Sequence, residues 1–289
     1  MSPAPDSTAA EPGTLYVVAT PIGNLGDISS RALDCLRAVD AICAEDTRHS
    51  RPLLQHFGIE KPLIALHDHN EQAQAPALVE RLRQGQSLAL ISDAGTPLIS
   101  DPGFRLVRAA RAAGLRVSPV PGASALIAAL SVAGIGSDRF LFEGFLPNKS
   151  AARKQRLAEL ASLEASLVFY ESSHRICESL ADLQAVFGER RMALARELTK
   201  RFETVLDGSI AEVRARVEAD PDQQRGEFVL ILEGVADRSE AQLAEGRRLM
   251  GLLSPHLPPS QAARLAAEIS GAPRKELYGR DSGFGIRDS

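Results

Sequence analysis

The residues best suited to chemistry lie in three stretches rich in glycine, proline and small side chains. The longest, Ile91 to Gly103, combines Gly95 and Gly103 with Pro97 and Pro102, Asp93 and Asp101, and the small polar Ser92, Thr96 and Ser100. Small side chains let a backbone approach a ligand closely, and its free N–H and C=O groups then do the recognition. A plain connection between elements needs about 2–6 residues and none of this chemistry. Thr20 to Asp27 carries Gly23 and Gly26 but not the spaced glycines of a dinucleotide or phosphate loop. By itself this loop reads first as a tight strand-to-helix turn and only second as a ligand loop. Pro121 to Ala125 sets a proline ahead of the small pair Ser124 and Ala125, the layout of a helix N-terminus facing a ligand or simply of a well-made helix start.

Titratable groups cluster after four apolar runs: Glu45 with Asp46, His67-Asp68-His69, Glu171, and Glu197 with Lys200. Any of them can serve as a general acid or base. The competing reading makes the acids structural partners of Arg48, Arg175 and Arg196. His67 and His69 declare no third ligand, so no metal is expected. Cys35, Cys43 and Cys177 are odd in number and form no CxxC pair. That speaks against a disulfide framework and suits a reducing cytoplasm. Cys177 shares a helical pattern with Ile176, Leu180 and Leu183, the pattern of a core thiol.

The elements that must position these residues are read from periodicity. Strands are expected over 15–19, 39–44, 62–66, 87–91 and 115–120, alternating with helices over 28–38, after Thr47, over 74–84 and over 102–113. Asp27 and Thr47 are the expected helix caps. This alternation predicts an α/β domain with a largely parallel sheet, and the three loops then fall at the carboxyl ends of strands, where such sheets hold ligands. A second α/β series follows: a strand near 141–147, helices over 151–161, 175–187 and 210–218, and strands over 166–170, 192–196, 203–206 and 228–232. Beyond Val235 only amphipathic helices are expected, over 242–253, 260–269 and 275–278, as a helix-turn-helix-like module or a helical cap. The expected division is a flexible tail over 1–13, an α/β domain over 14–145, a second over 146–235, the helical module over 236–279 and a flexible end over 280–289. Of 289 residues, 44% are hydrophobic and 4% aromatic, with no Trp, so the cores must be aliphatic. The net charge of -4 excludes a general basic coat but not a local patch. No apolar run approaches the ~18 residues of a membrane helix, and the N-terminus lacks a secretory layout. A soluble intracellular protein is expected.

The three loops, in this order on alternating elements, resemble those of the tetrapyrrole methylase superfamily. Within it, Ala19 to Asp27, Ala44 to Arg48, Ser92 to Pro97, Phe169 to Ser172 and Ala195 to Lys200 are similar to the branch of ribosomal RNA small subunit methyltransferases that 2′-O-methylate a cytidine of 16S rRNA. The resemblance implies two α/β domains with S-adenosylmethionine (SAM) in the cleft between them, a small C-terminal helical domain, and a homodimer. It implies SAM contacts from Pro21, Asp93, Gly95, Thr96, Ile99, Ser124 and Ala125, and from Tyr170, Ala195 and Phe228 in the second domain. Thr96 stands where ring-methylating relatives carry Asp, which fits the rRNA branch. Among the candidate bases, Glu171 and Glu197 rank ahead of Asp46 and Lys200, since an acid there can face substrate across the bound donor.

For the RNA, Lys149, Arg153, Lys154 and Arg156 occur with no acid among residues 146–158; Arg196, Lys200 and Arg201 form a second basic group, and Arg264, Arg274 and Lys275 a third. The expected partner is 16S rRNA or the small ribosomal subunit. A methylase of a small tetrapyrrole-like substrate and a non-catalytic RNA-binding assembly factor are the competing readings. The first leaves the basic groups unexplained, and the second has no use for the glycine and proline loops.

Overall fold

In β2 (Ala41–Ala44) and β4 (Leu88–Ile91) every residue is buried. Such uninterrupted apolar runs belong to parallel strands covered on both faces, and the computed structural model, which describes residues 10–136, 138–235 and 238–277, places them so. They join β1 (Thr14–Val18), β3 (Leu63–Ala65) and β5 (Arg116–Val120) in an all-parallel sheet of order β3-β2-β4-β1-β5. Alternate residues serve two cores. Leu15, Cys43, Leu88 and Leu90 pack with Leu82 and Leu106, while Val18, Ile42, Ala89 and Ile91 pack with Leu36 and Leu54. The crossovers are α1 (Ser30–Ala38), α2 (Thr47–His56), α3 (Glu71–Arg83) and α4 (Phe104–Ala112), and α5 (Ala125–Val132) follows β5. From β1 the chain moves to β2 and from β4 to β5, in opposite directions along the sheet. The loops leaving the neighbouring strands β1 and β4 therefore mark a topological switch point.

Two expected caps move by a residue or two. Ser29 caps α1, accepting from the Ala32 N–H, while Asp27 sits in a one-turn helix capped by Asn24. Asp46, not Thr47, caps α2: the helix starts at Thr47, and the Asp46 carboxylate accepts from the Arg48 N–H at 2.9 Å.

The first compact unit runs through Ala129 and also includes Glu197–Glu203; the second comprises Leu130–Arg196 and the described residues from Thr204. The division falls ahead of the expected 145/146 boundary because β6 (Phe140–Phe145) pairs with β7 (Ser166–Ser172) in the second sheet. That sheet also holds β8 (Arg191–Arg196), β9 (Thr204–Ser209) and β10 (Glu227–Leu232), in the order β6-β7-β10-β8-β9, with only β6 and β7 parallel. One face packs α6 (Ser150–Leu160), α7 (Ile176–Phe187) and α8 (Ile210–Ala219) through Leu167, Phe169, Leu194 and Leu230. Cys177 packs against this core. The helical module is α9 (Arg238–Leu253), α10 (Pro259–Ser270) and α11 (Arg274–Leu277). Ala262, Ala263 and Ala266 are buried, and Gly246 admits the Leu277 side chain, whose Cδ2 would lie 2.8 Å from any Cβ there. Residues 1–9 and 278–289 of the expected tails and helix lie outside the described residues. Among the described residues no helix is long and apolar enough to cross a membrane.

Candidate functional site

The three loops of the first unit meet at the carboxyl edge of the parallel sheet. The Thr20 N–H donates to the Gly95 carbonyl at 2.8 Å and the Gly95 N–H returns to the Thr20 carbonyl at 3.1 Å. The Thr20 hydroxyl adds a bond to the Ser92 carbonyl, and the Thr96 hydroxyl donates to the Ala123 carbonyl at 3.0 Å. Thus Pro21, Asp93, Gly95, Thr96, Ser124 and Ala125 are brought to one edge. Gly95 has φ +81°, and a Cβ there would stand 3.2 Å from Ile22 Cγ2 and 3.7 Å from the Ala123 carbonyl oxygen. The missing side chain leaves a backbone-lined cradle that any other residue would fill.

Among the described residues, four non-glycine residues have left-handed φ. Leu98 and Ser100 are in the Gly95 loop; Glu197 and Thr199 are in the loop that leaves β8 and belongs to the first unit. Such backbone costs of order 1–3 kcal/mol each and persists where the surroundings enforce it, often at functional sites. Nothing in the residue types announces it. In the same unit the Lys200 stem lies over Gly23 (φ +143°), where a Cβ would stand 2.5 Å from Lys200 Cγ. The Lys200 ammonium donates to Glu197 Oε1 at 2.9 Å.

The acids at this edge sort by their partners. Burial, then the charges of Asp101, Asp93, Asp68 and Asp46, push the Glu45 carboxyl up to about 7. Burial pushes Asp101 up to about 6 against the pull of the Ser92 hydroxyl, with Asp93 and Asp68 adding to the rise. Asp46 is held down to about 2 by the side-chain and backbone bonds of Arg48. A carboxyl that titrates near neutrality is poised to take up a proton, whereas one at 2 is not. Among the expected bases Asp46 is therefore a helix cap, and its neighbour Glu45 is the better acceptor. Among the described residues no group of three His, Cys, Asp or Glu is arranged around a metal position.

In the second unit, sheet register decides the outcome. Phe145, Tyr170, Val229, Ala195 and Val205 form one continuous row across five strands. Tyr170 and Ala195, two expected SAM contacts, thus share one side of the sheet. The adjacent row is Glu171, Phe228 and Arg196, and strand alternation turns it to the helix-packed side. Phe228 is 2% exposed in the core with Leu167 and Phe169, which removes it from the expected SAM contacts. Glu171 is also corrected. Its Oε1 accepts from the Ser172 N–H and from Arg175 at 2.7 Å, and its Oε2 accepts from Ser179 at 2.6 Å. A buried carboxylate with every oxygen engaged holds the fold and is not available as a base.

The basic groups divide in the same way. Arg153 is 0% exposed and its Nε donates to Asp182 at 2.7 Å, so its charge is committed inside the α6–α7 contact. Arg196 is buried and donates to the Arg225 carbonyl. Both are corrected from phosphate contacts to structural residues. Arg156 is held by Glu143 and Glu159, and the half-exposed Lys154 lies 3.3 Å from Asp182. Lys149 is exposed.

The parallel sheet, its switch-point loops and the mixed second sheet define a class. The description "Tetrapyrrole (Corrin/Porphyrin) Methylases" matches residues 14–214, and the chain belongs to that family. Residues 240–280 match the "RsmI C-terminal HTH domain". A relative from Xylella fastidiosa (strain Temecula1), named "Ribosomal RNA small subunit methyltransferase I", is 65% identical over 93% of this chain and 98% of its own. One of the same name from Pseudomonas aeruginosa is 56% identical over 92% of this chain and 95% of its own. The crystal structure of the methyltransferase CobJ superposes with TM-score 0.57 at 19% identity, covering 78% of this chain and 95% of that one, a likeness of fold. The methyl donor of this family is SAM. The Gly95 cradle, open only because a Cβ is missing, fits a ligand recognised by backbone N–H and C=O groups.

Proposed function

We propose that this protein transfers a methyl group from SAM to the ribose 2′-oxygen of a cytidine in the 16S rRNA of the small ribosomal subunit. The reading is carried by one conjunction: a Gly95 cradle shaped for a ligand, in a chain 65% identical to a relative named for small-subunit rRNA. When bound, SAM supplies a sulfonium-activated methyl group that needs little further electrophilic help. Gly95, Thr96, Ile99, Ser124 and Ala125 hold it, with Pro21 and Asp93 flanking them; the family resemblance adds Tyr170 and Ala195 as contacts. Holding reactants in near-attack geometry is worth about 7–11 kcal/mol, so positioning is the chain's main contribution. A ribose hydroxyl is weakly acidic, and its proton needs an acceptor. Glu45 fits that role because its carboxyl titrates near neutrality, and Glu197, held by Lys200, is the second candidate.

Lys149, with Lys154 and Arg156, binds RNA phosphates, and the active form is a cytoplasmic homodimer. The test is methyl transfer from labelled SAM to small subunits lacking the modification, set against a porphyrinoid substrate. Mass spectrometry of small-subunit RNA from cells lacking the chain should then show one ribose methyl lost from a cytidine. Transfer to the porphyrinoid alone would replace this reading with that of a tetrapyrrole-like substrate.

A further inference from the structure

We infer that the Phe145 ring is a stacking platform for an unpaired nucleobase of the RNA substrate. This rests on the functional reading above and adds the element that orients the nucleotide.

The geometry begins with a bulge. Along β6, Phe142 pairs with Val168 and Gly144 with Phe169, so Glu143 is an extra residue in the ladder. Residues three apart on a regular strand point to opposite faces. The bulge, with Gly144 at φ +68°, cancels that alternation and brings both Phe142 and Phe145 against Tyr170. The ring centroids lie 4.8 and 5.8 Å from that of Tyr170, both edge-on. Bulges re-aim side chains and are over-represented beside active sites.

The chain has ten Phe, three Tyr and no Trp in 289 residues; Phe145, like Phe104 and Phe202, is exposed, and at 57% it stands at the outer end of an aromatic group. Phe145 is one register step from Tyr170 on the row that also contains Ala195. Neighbouring strands are about 4.8 Å apart, so the exposed ring lies one strand spacing from Tyr170 and three from Ala195, the residues proposed to wall the methyl donor. Single-stranded RNA is recognised by stacking splayed bases on such rings while cations hold the backbone. The charges nearby suit a polyanion. Glu143, in the bulge, is neutralised by Arg156 at 2.7 Å, and Lys149, four residues after Phe145, is exposed. β6 is an edge strand, so a second copy of the chain is the competing occupant.

The experiment uses the full chain and a single-stranded RNA carrying 2-aminopurine, with small subunits as methyl acceptor. Phe145→Ala and Phe145→Leu should each weaken RNA affinity about tenfold, toward the low end of the range for one base–aromatic stack. Both should abolish the fluorescence quench that stacking gives and raise KM for small subunits, with SAM affinity by calorimetry unchanged. Phe145→Tyr should restore affinity and quench, and the salt dependence should stay that of the wild type because no charge is lost. Full affinity in Phe145→Leu overturns the proposal, since bulk without a ring would then suffice. Loss of self-association with RNA affinity unchanged assigns the edge to a second copy and also overturns it. A wild-type chain that methylates no small subunit overturns the functional reading and this inference with it. A wild-type chain that does so while Phe145→Ala matches it overturns the inference alone.

Discussion

Glu45 directly follows β2 and Glu171 lies near the end of β7, and the two have opposite environments. Glu171 is 2% exposed, yet arginine, a hydroxyl and a backbone N–H occupy its oxygens. Glu45 is only half-buried, yet the named charges acting on it are four other acids. Burial alone does not decide which carboxyl is held ionised; the partners do. The same contrast runs through the two units. The helix-packed side of the second sheet holds buried ion pairs, Arg153 with Asp182 and Arg175 with Glu171. The loop edge of the first sheet concentrates like charge and left-handed backbone.

The largest effect should come from breaking the ion-paired side. Asp182→Ala leaves the buried Arg153 guanidinium without its closest partner and should cost about 3–5 kcal/mol in urea denaturation. A loss under 1 kcal/mol would show that Arg153 escapes to solvent and would return it to the RNA surface. Glu171→Gln keeps the shape but removes the negative charge that pairs with Arg175 and should cost about 1–3 kcal/mol, with the SAM dissociation constant unchanged in calorimetry. A selective fall in kcat at wild-type stability would instead place Glu171 in the chemistry.

On the loop side, Gly95→Ala forces a Cβ into left-handed backbone beside Ile22. With about 1–2 kcal/mol of conformational cost, SAM affinity should fall about tenfold. Unchanged affinity would move the methyl donor away from this turn. The smallest effect is pH-dependent. Because the folded-state pKa of Glu45 is raised from 4.5 to about 7, the native state holds its proton longer than the unfolded chain does. Stability therefore falls as pH rises through that window. Glu45→Gln should flatten the slope and leave the variant relatively more stable at pH 8, with no gain at pH 4. It should also remove a rising limb near pH 7 from the rate profile if Glu45 takes the proton.

Much of this contrast was legible in the residues. The apolar runs of β2 and β4 and the small-residue loops after β1, β4 and β5 were all in place, and the first unit followed from them. The expected base at Glu171 failed on parity: Tyr170 and Glu171 are adjacent, so one faces away from the other, and apolar residues on both sides of β7 hid which was which. Arg153 carried a usable signal, since Leu157 and Leu160 follow it at helical spacing on the buried face of α6. The Glu45 environment carried none, because Asp68, Asp93 and Asp101 arrive from two other loops and only folding brings them near. The aromatic contacts of Phe145 depend on a one-residue bulge that strand periodicity does not encode.

The loop Glu197–Glu203 leaves β8, counts as part of the first unit, and returns to β9. A gene fragment ending at Ala129 therefore encodes a first unit that lacks the lysine resting on Gly23. Chimaeras that exchange amino-terminal halves between relatives join the Gly23 loop of one parent to the Lys200 loop of the other.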